Sequence, residues 1–172
     1  MKAILHRIVI AFFAILISSS IAFAGDSPFN PDISLVEAPT LYKECEGNKF
    51  AFNKKYNSQR IGIVGEVSKI DEATFQQMDM RGKKIPYILL KGLVRAYIAT
   101  NDLDLSAIMP GDIAFFDCTQ VSSDDMPFYV KAMCRPALTG RDNKRTWVTD
   151  DHDVQDFLFS KQTIQNIRAQ QK

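Results

Sequence analysis

The spacing of the apolar residues changes at Arg60, and this change restricts the possible folds of the chain more than any other feature. Over residues 61–67 the pattern has the period of two that a β-strand imposes, with isoleucine and valine recurring on one side. Gly62 and Gly65 inside this run indicate a bend or a bulge, which allows one strand to belong to both halves of a small barrel. The segment therefore predicts a bent first strand of a closed sheet.

Four further strand patterns follow, at residues 85–90, 93–99, 113–119 and 128–134. Lys91-Gly92, between the first two of these patterns, indicates a tight hairpin. A short helical turn is predicted over 101–109, and the polar segment 71–84 is predicted to be a long connection. Five short, mostly antiparallel strands with a small helical element between the third and the fourth are the order of an OB-fold barrel.

Helices are predicted on both sides of the strands. A helix packed on the sheet is predicted from residue 39 onward, because apolar and aromatic positions recur three or four residues apart at Leu41, Cys45, Asn48, Phe52 and Tyr56. After residue 135 a loop to 145 and then a helix from about 150 are predicted. The apolar face of that helix, which is expected to dock on its own domain, comprises Val154, Phe157, Leu158, Ile164 and Ile167.

The predicted fold class is therefore mainly β, a five-stranded OB-fold barrel with an N-terminal helix and a C-terminal helical extension. Residues 25–38, rich in Pro, Asp and Asn, are predicted to be a flexible lead-in. The OB-fold domain is assigned to 39–135 and the extension to 136–172.

Residues 1–24 have the order of a secretory signal peptide. Lys2 and Arg7 form a basic start, residues 8–17 an apolar run, and Ala22-Phe23-Ala24 a small-x-small cleavage site. Cleavage after Ala24 predicts a periplasmic or secreted protein with no stable membrane span. The mature chain would carry 21 minus 2, or 19, basic residues against 20 acidic ones, a net charge of −1. This near-neutral balance does not favour nucleic acid as the partner.

The cysteines predict one disulfide. Cys118 and Cys134 lie in two strand patterns separated by a turn-rich segment, so a hairpin would place them face to face in an oxidising compartment. Cys45 would then be left over, either as a buried, inert thiol or for an intermolecular bond.

Residues 41–134 resemble the tRNA-anti-like OB-fold family, which includes many exported bacterial proteins of unassigned function. The resemblance rests on the helix with Asn48, Phe52 and Tyr56, the first strand running to Ile70, the turn Pro110-Gly111-Asp112 and the late Cys134. It implies a fold and does not imply a ligand. The connection around 74–81 and the extension after 134 depart from the family pattern.

The residues available for catalysis predict a protein that is not an enzyme and that has no cofactor or metal. Of two histidines, His6 lies in the signal and His152 in the tail, where Asp150, Asp151 and Asp153 surround it. Consecutive helical residues point in different directions, so these aspartates are interpreted as a helix cap and not as metal ligands.

A binding role is the favoured hypothesis, because OB barrels bind oligonucleotides, oligosaccharides or peptides across their second and third strands. The candidate groove residues on those strands are Tyr87, Lys91, Arg95 and Tyr97. Arg95 and Tyr97 share one face of the third strand, opposite the predicted core residues Val94, Ala96 and Ile98. A tyrosine in that position also commonly packs as a half-buried residue. The alternative hypothesis is an envelope interaction or structural protein that uses the barrel as a scaffold and the C-terminal helix for a protein partner.

Overall fold

The computed structural model describes residues 28–74, 82, 84–98, 105–125, 128–142 and 144–170. The described part of the protein is mainly β, with 50% of its residues in strands and 29% in helices, and it contains a ring of five strands and four helices. The predicted signal peptide, most of the connection around 74–81 and the first part of the helical turn at 101–109 lie outside the described residues.

In chain order, one short strand and two helices come first, then the main strands, and then two C-terminal helices. Their bounds are β1 Leu35–Glu37, α1 Ala38–Gly47, α2 Lys49–Tyr56, β2 Ile61–Thr74, β3 Lys84–Leu90, β4 Val94–Ile98, a 3₁₀ turn Leu105–Ala107, β5 Ile113–Asp125, β6 Phe128–Arg141, β7 Lys144–Trp147, α3 His152–Leu158 and α4 Lys161–Gln170.

Five of the strands pair in a closed ring. The order is β2-β3-β4-β6-β5, and β5 pairs again with β2. Every pair in the ring is antiparallel except β4 with β6, which is parallel. Outside the ring, β1 lies parallel to the start of β2, and β7 pairs with the end of β6.

The length of β2 allows the ring to close. Its first half, Ile61 to Glu66, pairs with β5, and its second half pairs with β3. The register shifts between Val67 and Lys69, so the predicted irregularity lies after the two glycines and not at them. Gly65 instead permits close packing, since a Cβ there would lie 3.0 Å from the Cβ of Ala38 on α1.

The interior of the ring is filled by alternate strand residues. Ile63 and Val67 of β2, Ile88 of β3 and Ala96 of β4 are almost completely buried in one cluster that also takes in α1 and α2. The predicted core positions Val94, Ala96 and Ile98 are confirmed, because all three belong to this cluster. One face of β3 and β4 is therefore committed to the core and the other faces outward.

The predicted N-terminal helix is two helices and not one. Asn48 has an extended backbone with φ −161° and ψ 95°, which ends α1 and begins α2. Its side-chain Oδ1 accepts a hydrogen bond from the backbone nitrogen of Ala51 at 3.0 Å. The spacing of apolar residues predicted a single helix because it is the same on both sides of Asn48. An asparagine that caps a second helix does not interrupt that spacing.

Several predicted irregular segments contain regular structure. Residues 71–74, predicted as part of the connection 71–84, continue β2 and pair with β3. Residues 136–141, predicted as a loop, continue β6 and then turn back through β7. Residues 35–37, predicted as flexible lead-in, form β1 on the edge of β2. β1 pairs with β2, and the end of β6 pairs with β5. Each of these partners is distant in the chain, so a local sequence pattern does not report the pairing.

The single C-terminal helix predicted from about residue 150 is two helices, α3 and α4, which dock on the ring through a second apolar cluster. Val154 and Leu158 of α3 and Ile164 of α4 are buried with Ala137 and Leu138 of β6. The predicted docking of the helical extension on its own domain is confirmed for these residues. Phe29, near the start of the described chain, bridges to Phe159 and joins the same cluster.

We expect Gly92→Ala to lower the free energy of unfolding by about 2 kcal/mol or more. Gly92 lies in the β3–β4 turn with φ +94°, and an added Cβ would lie 2.7 Å from Cα of Pro39. The matched control is Gly47→Ala, where a Cβ meets no described atom within 4 Å. Urea unfolding of both variants checks the prediction, and equal midpoints would contradict it.

Candidate binding face around Arg95

The outward face of β3, β4 and β6 brings together three tyrosines and an arginine. Tyr87 is paired in register with Tyr97, and Arg95 is paired with Lys131 of β6. The guanidinium carbon of Arg95 lies 4.6 Å from the ring centre of Tyr87, 5.9 Å from that of Tyr97 and 4.3 Å from that of Tyr129. We call these four residues the Arg95 cage.

Hydrogen bonding orients the guanidinium within the Arg95 cage. Its Nη1 donates to the hydroxyl of Tyr97 at 3.1 Å. Its Nε is buried and has no hydrogen-bond partner among the residues that the structure describes. Burial acts to lower the pKa of Arg95, but the tyrosine hydroxyl and the three ring partners outweigh it, so the pKa of Arg95 is raised. The guanidinium therefore stays charged in contact with aromatic rings.

Arg95 differs from its cationic neighbours in having no carboxylate partner among the described residues. Lys69 pairs with Asp71, and Lys131 pairs with Asp124 at 3.6 Å. The hydrogen bond from Lys69 lowers the pKa of Asp71, so that carboxylate stays ionised beside its lysine. The outward face thus carries two compensated lysines and one uncompensated, half-buried arginine.

The structure unites three of the four predicted groove residues. Tyr87, Arg95 and Tyr97 lie in the Arg95 cage, whereas Lys91 lies in the β3–β4 turn and its ammonium pairs with Glu66. The two tyrosines are only 8% and 6% exposed, so they act as packing residues whose rings hold the arginine. Their low exposure agrees with the packing role that is common for a tyrosine in such a position.

Tyr129 was missed at the sequence level. It lies at the start of β6, two residues before Lys131, and therefore shares the outward face with Lys131 and Met133. The parallel pairing of β4 with β6 carries it to Arg95. Side chains alternate between the two faces of the last strand. This alternation, combined with the strand order of an OB-fold barrel, is the signal that would have identified Tyr129.

A second charged cluster joins α3 to the ring. Asp117 of β5, whose side chain is 1% exposed, accepts hydrogen bonds from Nε of Arg60 at 2.8 Å and from Nε of Arg135 at 3.0 Å. Both arginines also reach Asp153 of α3, at 3.0 Å and 2.9 Å. The hydrogen bonds from Arg135 and Arg60 lower the pKa of Asp153. We call Arg60, Asp117, Arg135 and Asp153 the Asp117 network.

Asp151 and Asp153, which flank His152, serve the helix and the Asp117 network. Asp151 caps α3, because its side chain accepts from the backbone nitrogen of Asp153 at 2.9 Å. Its other carboxylate oxygen accepts from Arg135 at 3.2 Å. The predicted helix cap is thereby confirmed for Asp151. Within the described ranges, no group of three or more His, Cys, Asp or Glu side chains is placed to hold a metal ion.

The predicted disulfide is confirmed. Cys118 of β5 and Cys134 of β6 are paired in register, with their Cα atoms 4.1 Å apart and the two sulfur atoms bonded. Cys45 takes no part in this bond and is fully buried on α1.

Each helix in the described part of the chain falls short of the length and apolarity that crossing a membrane requires. Comparison with family models, with curated proteins and with solved structures finds no match for this chain. The resemblance to the tRNA-anti-like family therefore stays a prediction.

Proposed function

We propose that this protein is an exported OB-fold binding module that takes its ligand on the face around Arg95. The observation that carries the proposal is the Arg95 guanidinium, charged, half-buried, held by three tyrosines and without a carboxylate partner among the described residues. A desolvated cation without a counter-ion is costly to keep in a fold. A ligand that supplies the missing partner would offset this cost.

The order of the strands supports the OB-fold part of the proposal. The ring β2-β3-β4-β6-β5, with its one parallel pair, has five strands and a 3₁₀ turn between its third and fourth strands in the chain. Proteins of that architecture bind on their second and third strands, which correspond to β3 and β4. Two of the residues of the Arg95 cage lie on β4 and one lies on β3.

The disulfide supports the export part of the proposal. Cys118 and Cys134 form a disulfide. Disulfides persist in oxidising compartments and are rare in the reducing cytosol. The basic, apolar and small-x-small order of residues 1–24 is the independent argument for the same address. Both fit a protein of the periplasm or the extracellular space.

The alternative, an envelope scaffold with a partner on the C-terminal helix, has less support. Such a partner would need an apolar stripe, and Val154, Leu158 and Ile164 are buried against the ring. The face around Arg95 carries paired charges and is not a flat apolar patch, which also favours a ligand over a protein scaffold.

We expect Arg95→Gln to weaken ligand capture by roughly ten- to a hundredfold, the range for a lost charge-assisted hydrogen bond. The mature chain, residues 25–172, is tested on oligonucleotide, oligosaccharide and peptide arrays, and affinities are then measured by calorimetry. Lys54→Gln on α2 is the control, since Lys54 is also cationic but is exposed and lies outside the Arg95 cage. Equal capture by the two variants would contradict the proposed site.

A further inference from the structure

We infer that the Arg95 cage binds a single oxyanion, a carboxylate or phosphate group displayed by the ligand, through Nη2 of the guanidinium, which donates to no described residue. This inference rests on the proposed function and specifies the chemistry of the same site. It follows from the charges, the rings and the hydrogen bonds of the cage.

The charges on the outward face limit the ligand to one anionic group. Lys69 and Lys131 already face Asp71 and Asp124, so neither lysine requires a further anion. Arg95 has no such carboxylate among the described residues. One uncompensated cation matches one oxyanion and does not match the row of phosphates that a nucleic acid strand presents.

The rings of the Arg95 cage argue against recognition by stacking. Tyr87 and Tyr97 are 8% and 6% exposed, and the guanidinium lies over both rings and over Tyr129. A base or a sugar ring has little aromatic surface left to cover there. The accessible polar group is the guanidinium itself, whose donors suit carboxylate and phosphate oxygens.

The hydrogen bonds of Arg95 leave one end for the ligand. Nε is buried and Nη1 donates to the Tyr97 hydroxyl, while Nη2 donates to no described residue. The tyrosines hold the guanidinium in one orientation, so little rotamer freedom is lost when an anion binds. The cage is therefore built to present a fixed donor.

The test is a titration of the ¹⁵N-labelled mature chain, residues 25–172, with sodium phosphate and with sodium acetate at constant ionic strength in chloride. The arginine Nε–Hε signals are followed by NMR, and Arg95→Lys identifies the signal of Arg95. We expect a saturable shift at Arg95 with half-saturation on the order of 10 mM, as one charge-assisted contact allows. Arg60 and Arg135 are the internal controls, because both already bind Asp117.

Tyr97→Phe is the second variant, because it keeps the ring and removes the hydroxyl that holds Nη1. We expect half-saturation to rise roughly threefold to tenfold, because the guanidinium is then held less firmly before the anion binds. A response to phosphate alone identifies a phosphate ligand, and a response to acetate alone a carboxylate. No saturable shift from either anion, or an equal shift at Arg60 and Arg135, overturns the inference. If neither anion binds but Arg95→Gln still abolishes ligand capture on the arrays, the proposed binding site is retained and its ligand is neutral.

Discussion

Asp117→Ala is expected to lower the free energy of unfolding by about 3–5 kcal/mol, the cost of removing one partner of a buried ion pair while the other stays in place. The Asp117 side chain is 1% exposed and accepts hydrogen bonds from Arg60 and Arg135, which are themselves only 33% and 29% exposed. Its removal leaves two partly desolvated guanidinium groups beside an empty site. Urea unfolding followed by circular dichroism measures the change.

The matched control for this variant is Asp153→Ala. Asp153 binds the same two arginines but is 64% exposed, so its loss is expected to lower the free energy of unfolding far less than the loss of Asp117. The contrast isolates burial as the cause, since the partners are shared. Equal midpoints for the two variants would show that the Asp117 network contributes through exposed charges only.

Loss of the disulfide is expected to lower the free energy of unfolding by about 3 kcal/mol, as chain entropy gives for a loop of this length. The two cysteines are 16 residues apart in the chain. For the chain of 148 residues, 172 minus 24, that the predicted cleavage after Ala24 would leave, this corresponds to a melting temperature lower by roughly 10 °C. Thermal unfolding with and without dithiothreitol measures it, alongside the double variant Cys118→Ala with Cys134→Ala.

The double variant is expected to melt at the same temperature with and without dithiothreitol. Cys45→Ala is the matched control and should keep the full response to the reductant, because Cys45 is not part of the bond. A double variant that still responds, or a Cys45→Ala protein that does not, would contradict the assigned pairing.

Local signals in the chain were sufficient for the elements whose partners are close in sequence. Lys91-Gly92 predicted the β3–β4 hairpin, and the turn after Cys118 predicted the register that joins it to Cys134. Alternation on β4 identified Val94, Ala96 and Ile98 as core, and hence Arg95 and Tyr97 as outward. Each of these predictions depends on one turn or one strand only. Along a strand, the position of a residue decides which face its side chain occupies.

Contacts between distant segments decided the remainder. Asn48 divides a helix whose apolar spacing is continuous, and β6 extends past Cys134 because β5 and β7 supply its hydrogen bonds. The Asp117 network joins Arg60 to Asp153, 93 residues away, which no local period reports.

The binding face shows the same division. The amino-acid sequence alone determined which face of β4 carries Arg95 and Tyr97, because alternation along a strand is a property of the backbone. The tertiary structure decided that Tyr129 completes the Arg95 cage, that Lys91 turns away to Glu66, and that the rings of Tyr87 and Tyr97 are buried beside the guanidinium. Those facts depend on the parallel pairing of β4 with β6, and the pairing of two strands that are distant in the chain is set by closure of the whole ring.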